Sequence, residues 1–434
     1  MEAITKPTIL SGVMELHPDD QRLFEHMLEV IRDHFKLHAF YPLDTTLLEK
    51  SEVLLAKGGG ETEKQIYRFE KGSNDISLRF DLTVPLARYV AQHFSELEFP
   101  FYRYQIGKVY RGERKQKGRY REFYQCDVDI IGHEKLHVLN DAQIPKVMDD
   151  IFQALKLPHY AFFINHRLLL NAYLEDLGVK DAVETLRTLD KLAKIGAEQV
   201  EKEFLQQGLT DEQSQAILSL AGVEGDNQSR LDALKKLSDS ARYTQGVEEL
   251  ETVYRGMLAL GIPDDRIRID PAITRGLDYY TGTVYETFIT GHEEIGSICS
   301  GGRYENLASH YTKQKLPGVG MSIGLTRLFS KLREDGLMTL ETEPVAKVAI
   351  ATFPGAESLA LAFANQLREN GIPTLVQLEN AKIGKKMQTI NKRGIPYVIV
   401  LGDDEIKNGT ASLKNMETGE QSTKTIEEVI QSLI

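Results

Sequence analysis

Between Val109 and Gln125 the chain reads VYRGERKQKGRYREFYQ, cations interleaved with aromatics. From Tyr102 to Gln125 eight residues are Lys or Arg (Arg103, Lys108, Arg111, Arg114, Lys115, Lys117, Arg119, Arg121) and two, Glu113 and Glu122, are acids. That is a local +6 in a chain of net charge −12. Charge runs are usually solvated faces. Here, though, Tyr102, Tyr104, Ile106, Val109 and Tyr110 lie on one side and Phe123, Tyr124, Val128, Ile130 and Ile131 on the other, with Lys117-Gly118 as a turn. The pattern predicts an antiparallel hairpin with a long basic loop, and arginines at its strand ends suit a two-pronged grip on phosphate. Just beyond, alternation puts Gln125, Asp127 and Asp129 on one strand face, an amide and two acids able to read a polar substrate. Upstream, ISLRFDLTVPLARY (Ile76 to Tyr89) reads as a strand, a polar Asp81-Leu82-Thr83 and a helix start, and an acid with a hydroxyl at a strand end can grip an ammonium group.

Three local patterns point elsewhere and fail on their own chemistry. His133-Glu134-Lys135-Leu136-His137 fits the zinc-protease pattern H-E-x-x-H. That mechanism needs a third ligand and a helix turning both histidines into a cleft, whereas here the segment is charged, begins at Gly132 and is followed by no extended His motif. Gly58-Gly59-Gly60 lacks the Lys-Ser/Thr ending of a phosphate-binding loop and reads as a mobile loop. In Gly318-Val319-Gly320-Met321-Ser322-Ile323 the third glycine of a dinucleotide fingerprint would fall at Ile323.

Elements of recognisable period must hold these groups. Leu23, Phe24, Met27, Leu28, Val30, Ile31, Phe35 and Leu37 recur at helical spacing, and Ala39 to Leu43 then reads as a strand containing Pro42. From about Leu168 to Leu260 the sequence turns helical and charged, broken at Gly196, Gly208 and Gly222 to Gly225, with a helical insertion expected at about 179–240. Strand-like patterning returns at Ile267. A boundary falls near Arg333 to Pro344, and beyond Val345 strands VAKVAIATF, PTLVQL and YVIVLG alternate with helices, ending in a helix after Thr423. Lys382, Lys385, Lys386, Lys392 and Arg393 make one of those helices basic.

Arg111-x-Glu113 followed by Arg119-x-x-x-Phe123 resembles motif 2 of class II aminoacyl-tRNA synthetases. The helix and Pro42 strand resemble motif 1, the dimer interface, and Gly318 to Arg327 resembles motif 3, with Thr326 where an acid commonly precedes the arginine. RGLDYYTGTVYE (Arg275 to Glu286) and Ser300-Gly301-Gly302-Arg303-Tyr304 resemble the two signatures peculiar to histidyl-tRNA synthetases. The motifs come in the family's order and cover essentially the whole chain.

The resemblance implies an α+β fold: a class II catalytic domain at 1–335, an antiparallel sheet flanked by helices with the insertion inside it, and an α/β anticodon-binding domain at 345–434. It implies ATP-dependent attachment of L-histidine to tRNA(His) through a histidyl-adenylate. Arg111, Glu113, Arg119, Phe123 and Arg327 would bind ATP, a triphosphate of about four negative charges that guanidinium groups neutralise and a purine that stacks on an aromatic face. Asp81, Leu82, Thr83, Arg111, Gln125, Asp129, Arg275, Tyr279 and Tyr280 would bind histidine, with Asp129 and Tyr280 on the imidazole. Arg275, Arg111 and Gln125 would be catalytic, Arg275 standing at the α-phosphate where many enzymes place a metal. Lys115, Gln116, Lys117, Lys385 and Lys386 would touch tRNA. Mg2+ would come with ATP, and no tightly held protein metal site is expected.

Composition agrees with that reading. At 434 residues, 41% hydrophobic and 27% charged, the chain has length for two to four domains and no apolar run near the roughly 18 residues that span a bilayer. The N-terminus carries neither a signal nor a transit pattern, and two cysteines, Cys126 and Cys299, build no disulfide framework, so a cytoplasmic protein is expected. A net charge of −12 leaves nucleic acid to be met by local basic patches. A homodimer is expected because the Leu23 to Leu37 helix and Pro42 strand carry more apolar surface than one domain needs. The alternatives are a histidine-sensing regulatory paralogue, which generally lacks the C-terminal domain, a nucleic-acid-binding module with a vestigial site, and the zinc protease.

Overall fold

The computed structural model describes residues 4–56, 61–113, 118–274, 280–305, 308–338, 340–341 and 343–434. It divides into two compact units, Met1–Leu340 and Glu341–Ile434. The first contains, in order, α1 (Pro18–Leu37), β1 (Tyr41–Pro42), β2 (Leu48–Lys50), α2 (Ser51–Leu54), α3 (Glu61–Gln65), β3 (Arg68–Lys71), β4 (Asn74–Leu78), α4 (Thr83–Gln92), β5 (Phe101–Tyr110), β6 (Glu122–Ile131), α5 (Asn140–Ala154), β7 (Tyr160–His166) and α6 (Arg167–Asp176). Helices α7 (Ala182–Leu189), α8 (Leu192–Ile195), α9 (Ala197–Gln206), α10 (Asp211–Ala221), α11 (Asn227–Leu234) and α12 (Ala241–Ala259) follow. The unit ends with β8 (Ile267–Ile269), β9 (Tyr280–Ile289), β10 (Cys299–Tyr304), β11 (Gly318–Gly324) and α13 (Leu325–Glu334).

Eight strands form the main sheet in the order β1-β5-β6-β11-β10-β9-β7-β8. Its middle is antiparallel, and β1 joins β5, and β8 joins β7, in parallel at the edges. The hairpin expected around the basic loop is β5–β6, in unbroken register from Phe101↔Ile131 to Tyr110↔Glu122. Register fixes the faces: Cys126, Val128 and Ile130 enter the apolar core, so Gln125, Asp127 and Asp129 take the opposite face. Strands β2, β4 and β3 make a separate three-stranded sheet.

Pro18 at the first turn, Asp19 and Asp20 beside it, and His34 and Lys36 in the last turn all favour α1 where it forms. Its apolar stripe, expected to serve a second subunit, is instead consumed within this chain. Leu23, Phe24, Met27, Leu28, Ile31 and Phe35 are all buried, with Phe24 5.4 Å from Tyr124 and 5.3 Å from Phe329, and Phe35 5.1 Å from Tyr104, ring to ring. Only the far end leaves apolar groups in the open, Leu37 and Tyr41. Helices α7, α9, α10 and α11 contribute Leu186, Val200, Phe204, Ile217, Leu220 and Leu231 to the same apolar cluster as the sheet. The caps of Asp181 on α7, Thr210 on α10, Asp226 on α11 and Ser240 on α12 fix where these helices start.

The second unit runs β12 (Val348–Thr352), α14 (Glu357–Glu369), β13 (Thr374–Gln377), α15 (Ile383–Lys392), β14 (Tyr397–Leu401), α16 (Asp403–Asn408), β15 (Ala411–Asn415), β16 (Gln421–Lys424) and α17 (Ile426–Leu433). Its sheet order is β13-β12-β14-β15-β16, parallel through the first three strands and antiparallel after β14. The sequence reading passed from the third strand straight to the last helix and missed α16 and the β15–β16 hairpin. The hairpin strands are short and β16 is largely solvent-facing, so the apolar alternation that announces a strand is weak there.

Candidate active site

The face of the main sheet carrying Gln125, Asp127 and Asp129 opens into a cleft of about 420 Å³. Asp81, Thr83, Arg111, Glu113, Arg119, Phe123, Gln125, Tyr280, Ser322 and Arg327 are among its lining residues. A small recess of about 30 Å³ is bordered by Thr83, Asp127, Asp129, Tyr280, Ser300, Tyr304, Gly320 and Ser322. Residues as distant in sequence as Gln125 and Ser322 thus line one space because β6, β11, β10 and β9 are consecutive in the sheet.

Arg111, just past β5, has its guanidinium 4.5 Å from the Phe80 ring and 5.0 Å from the Phe123 ring. Its Nε donates to the Phe80 carbonyl at 3.2 Å and its Nη2 to Gln125 Oε1 at 3.4 Å. A cation held between aromatic faces keeps its plane fixed and its remaining edge toward the cleft. Phe80 was not singled out from the sequence, where it reads as a strand residue before Asp81. Arg119 Nη1 donates to Glu113 Oε2 at 3.1 Å, tying the two ends of the hairpin loop together. Arg327 Nη2 donates to the Ile295 carbonyl at 2.6 Å. Thr326 faces away from the cleft, buried, with Oγ1 accepting from the Tyr124 backbone N–H at 2.9 Å. It therefore locks α13 to β6, so the missing acid of motif 3 is replaced by a structural hydroxyl.

Asp81 Oδ1 accepts from the backbone N–H groups of Thr83 (3.1 Å) and Val84 (2.9 Å), so it caps the start of α4 as well as lining the cleft. Leu82, placed among the histidine-binding residues by sequence, is fully buried and does not line the cleft. Between a capping acid and a cleft-lining threonine, the helical turn sends its side chain inward.

Deeper in, Asp129 is paired with the fully buried Arg103 at 2.5 Å and accepts from Tyr304 Oη at 3.1 Å. Burial pushes its carboxyl above the ordinary range, and Arg103 opposes that rise. Asp127 is likewise buried, and its carboxyl is pushed up to about 7, desolvation outweighing Arg103 while Asp129 adds to the rise. Arg103 and Tyr304 were not among the expected site residues. Arg103 could have been inferred from the register, since it stands directly opposite Asp129.

Gly320, on the cleft face, and Gly301, opposite Met321 on the core face, are sites of close approach. A Cβ on Gly320 would lie 2.1 Å from Asp129 Oδ1, and one on Gly301 2.0 Å from the Gly320 carbonyl oxygen. Arg303, in the same motif as Gly301, points away from the cleft and binds Asp141.

Arg275, Tyr279, Lys115, Gln116 and Lys117, and Gly58 to Gly60, lie outside the described residues. In the second unit Lys385 is exposed. Lys386, expected to touch tRNA, is buried, and its Nζ donates to Thr352 O (2.9 Å), Thr352 Oγ1 (3.1 Å) and Gln377 O (3.0 Å). An ammonium spent on three acceptors at the ends of β12 and β13 holds those strands together and offers nothing to a phosphate. The His133 to His137 segment is not helical. His133 pairs with Lys135 as an isolated bridge and its ring packs 4.9 Å from Phe94, while Glu134 takes a positive φ of 62°.

The sequence model described as "Histidyl-tRNA synthetase" matches residues 12–328, and that described as "Anticodon binding domain" matches 347–434. The chain is similar to histidine–tRNA ligases of Clostridium tetani (51% identical over 431 residues, 99% of this chain and 98% of the relative) and Finegoldia magna (46% over 429 residues, 99% of each). In structure it is similar to the histidyl-tRNA synthetase of Nostoc sp. PCC 7120, with a TM-score of 0.90, 39% identity, and 99% of this chain and 100% of that one covered. An ATP phosphoribosyltransferase regulatory subunit/histidyl-tRNA synthetase from Bacillus halodurans, at 20% identity and a TM-score of 0.74 over 88% of this chain and 97% of that one, shares the fold.

Proposed function

The chain belongs to the histidyl-tRNA synthetase family and attaches histidine to tRNA(His) with ATP as a substrate, and from that premise we propose how the cleft divides the work. Histidine and ATP form histidyl-adenylate and pyrophosphate, and the acyl group then passes to the 3′-terminal adenosine of tRNA(His). Arg111 and Arg327 hold the ATP phosphates and Phe123 stacks on adenine. Glu113 and Arg119, paired with one another, border the nucleotide. Asp81, Thr83 and Gln125 take the α-amino and α-carboxylate groups, while Asp129 and Tyr280, beside the small recess, take the imidazole. Two polar ring contacts in a buried recess give specificity, because an analogue lacking a ring nitrogen leaves a buried group unpaired. The carboxylates of Glu113 and Glu286 in the same cleft are oxygen donors of the kind that would hold a Mg2+ carried by ATP, which would neutralise phosphate charge there. Arg275 supplies positive charge at the α-phosphate, lowering the barrier by electrostatic stabilisation of the transition state.

The observation that carries this reading is Arg111, clamped between Phe80 and Phe123 with Gln125 beneath it, at the junction of a phosphate-binding and an amino-acid-binding surface. The second unit engages tRNA, with Lys385 as one exposed cation. We further propose a cytoplasmic homodimer. With the α1 stripe used internally, support for the dimer comes from apolar groups left in the open, Leu37, Tyr41, Leu48 and Phe69. No helix among the described residues is long and apolar enough to cross a membrane. Pyrophosphate exchange tests the activation step: it should require L-histidine and fail with the other amino acids. Exchange driven by threonine, proline or glycine instead would sink the reading, and sedimentation of an active chain at 49.0 kDa would exclude the dimer.

A further inference from the structure

One buried acid on the floor of the site has no part in the scheme above. Asp127, 3% exposed, lies on β6 midway between Gln125 and Asp129 and borders the small recess. Across the ladder it faces Gln105 on β5 and Ser322 on β11. Ser322 Oγ donates to Asp127 Oδ1 at 2.5 Å, and Gln125 Nε2 donates to Ser322 Oγ at 2.8 Å. Gln125 Oε1 then faces Arg111 Nη2 at 3.4 Å. Donation thus runs in one direction, Arg111 to Gln125 to Ser322 to Asp127, and Gln125 Nε2 also points at Asp127 Oδ1 from 3.4 Å, too long to fix the amide without Ser322.

We propose that Asp127 is a positioning residue for histidine activation, acting through Ser322 to hold the Gln125 amide with its carbonyl oxygen toward Arg111, and able to do so only as the carboxylate. The inference rests on the assignment of this cleft to histidine and ATP. The reason is the hydrogen-bond inventory. A carboxylate only accepts, so the Ser322 hydroxyl must donate to it, and the Ser322 oxygen is left to accept from the Gln125 NH2. A protonated Asp127 can donate to Ser322 instead. The Ser322 proton is then released to go to Gln125, so the amide is free to rotate and turn its NH2 toward the Arg111 guanidinium, where two donors oppose each other. One proton at Asp127 thus removes the constraint that sets the polarity of the group proposed to meet the amino acid.

The surroundings place that proton in a usable range. Around Asp127 stand the Arg103 guanidinium from β5, Asp129 from β6, Asp81 from the segment before α4, the Ser322 hydroxyl from β11 and the Cys299 thiol from β10. Two carboxylates, Asp127 and Asp129, share the buried cation Arg103, which by itself balances only one of the two negative charges. Burial with that excess pushes the Asp127 carboxyl up to about 7. Above that pH the carboxylate form and the productive amide prevail, and below it the amide is no longer held.

The test is histidine-dependent pyrophosphate exchange by the full-length protein between pH 6 and 8.5, for the wild type and Asp127→Asn, an isosteric change that removes the obligate acceptor. At pH 8.5 kcat/KM for histidine should fall by about tenfold, the worth of one mis-set hydrogen bond, with KM for ATP changed by less than about twofold. The wild-type-to-variant ratio should shrink toward one by pH 6, where the wild type is itself protonated, and titration of the substrate cancels in that ratio. A ratio constant across the range overturns the proposal, since a merely structural aspartate gives a loss independent of pH. Ser322→Thr should keep the wild-type inflection and Ser322→Ala lose it, and this pair decides the matter if Asp127→Asn does not fold. Inflections kept by both overturn it. Failure of the wild type to exchange with histidine at any pH would remove the site assignment itself, a distinct result.

Discussion

Replacing Asp141 by alanine should be among the most damaging single changes to the first unit while leaving its chemistry intact. Asp141 lies on α5, fully buried, and Arg303 from β10 is 6% exposed. Arg303 Nε is 3.0 Å from both carboxylate oxygens and Nη2 is 2.6 Å from Oδ1. Thr283 from β9 donates to Oδ2 at 2.7 Å, and the remaining Arg303 N–H groups reach the carbonyls of Leu136 (3.1 Å) and His137 (3.2 Å). The single pair therefore ties α5 and the segment before it to β9 and β10. Alanine strands a buried guanidinium, worth about 3–5 kcal/mol, and orphans the Thr283 hydroxyl, worth about 1 kcal/mol more. A loss of about 4–6 kcal/mol is a large part of a total that is typically about 5–15 kcal/mol. The chain has no tryptophan, so urea unfolding is followed by circular dichroism, taking the midpoint of the first unit's transition. Neither residue lines the cleft, so pyrophosphate exchange well below the melting temperature should stay within about threefold of wild type. The double change Asp141→Leu with Arg303→Met, which removes both charges, should recover most of the loss. A cost under about 1 kcal/mol for Asp141→Ala, or exchange abolished in a fully folded variant, would refute the argument.

Gly320→Ala puts a Cβ 2.1 Å from Asp129 Oδ1 and 2.7 Å from the Val128 carbonyl oxygen, and should cut histidine activation by at least about tenfold in exchange assays; a normal KM for histidine would count against Asp129 in the recess. Lys386→Met leaves its three acceptors bare and should destabilise the second unit by about 2–4 kcal/mol in thermal unfolding, while Lys385→Met should change stability by under about 0.5 kcal/mol. Equal effects from the two would show that the buried ammonium is dispensable. A chain ending at Leu340 should retain exchange yet need much more tRNA for aminoacylation; undiminished charging at low tRNA concentration would remove tRNA contact from the second unit.

Much of this was legible in the order of residues. The β5–β6 hairpin was visible because β-branched and aromatic runs flank a basic loop, a local pattern that needs no partner to be read. The face shared by Gln125, Asp127 and Asp129 followed from the two-residue strand period, and α1 from its helical one. The β15–β16 hairpin was missed because its short strands, one of them solvent-facing, carry little period, and Phe80 because an aromatic in a strand is ordinarily filler until a guanidinium is seen beside it.

What the sequence determined by itself is therefore the local: element type, which side chains share a face, and motif residues whose spacing matches a family. Where each charge finds its partner depends on contacts between distant segments. Lys385 and Lys386 are neighbours in the same basic run, yet one meets water and the other closes the ends of two strands. Arg303 sits in a glycine-rich signature that faces the cleft, yet its guanidinium is consumed on the opposite side by a residue 162 positions away. The apolar stripe of α1 looked sufficient for a second subunit until Tyr104, Tyr124 and Phe329 were seen to cover it. The physical reason is common to all three. Periodicity says which way a side chain points relative to its own backbone, but burial, and with it the cost of an unpaired charge or a bare apolar face, depends on what other segments bring to that point in space.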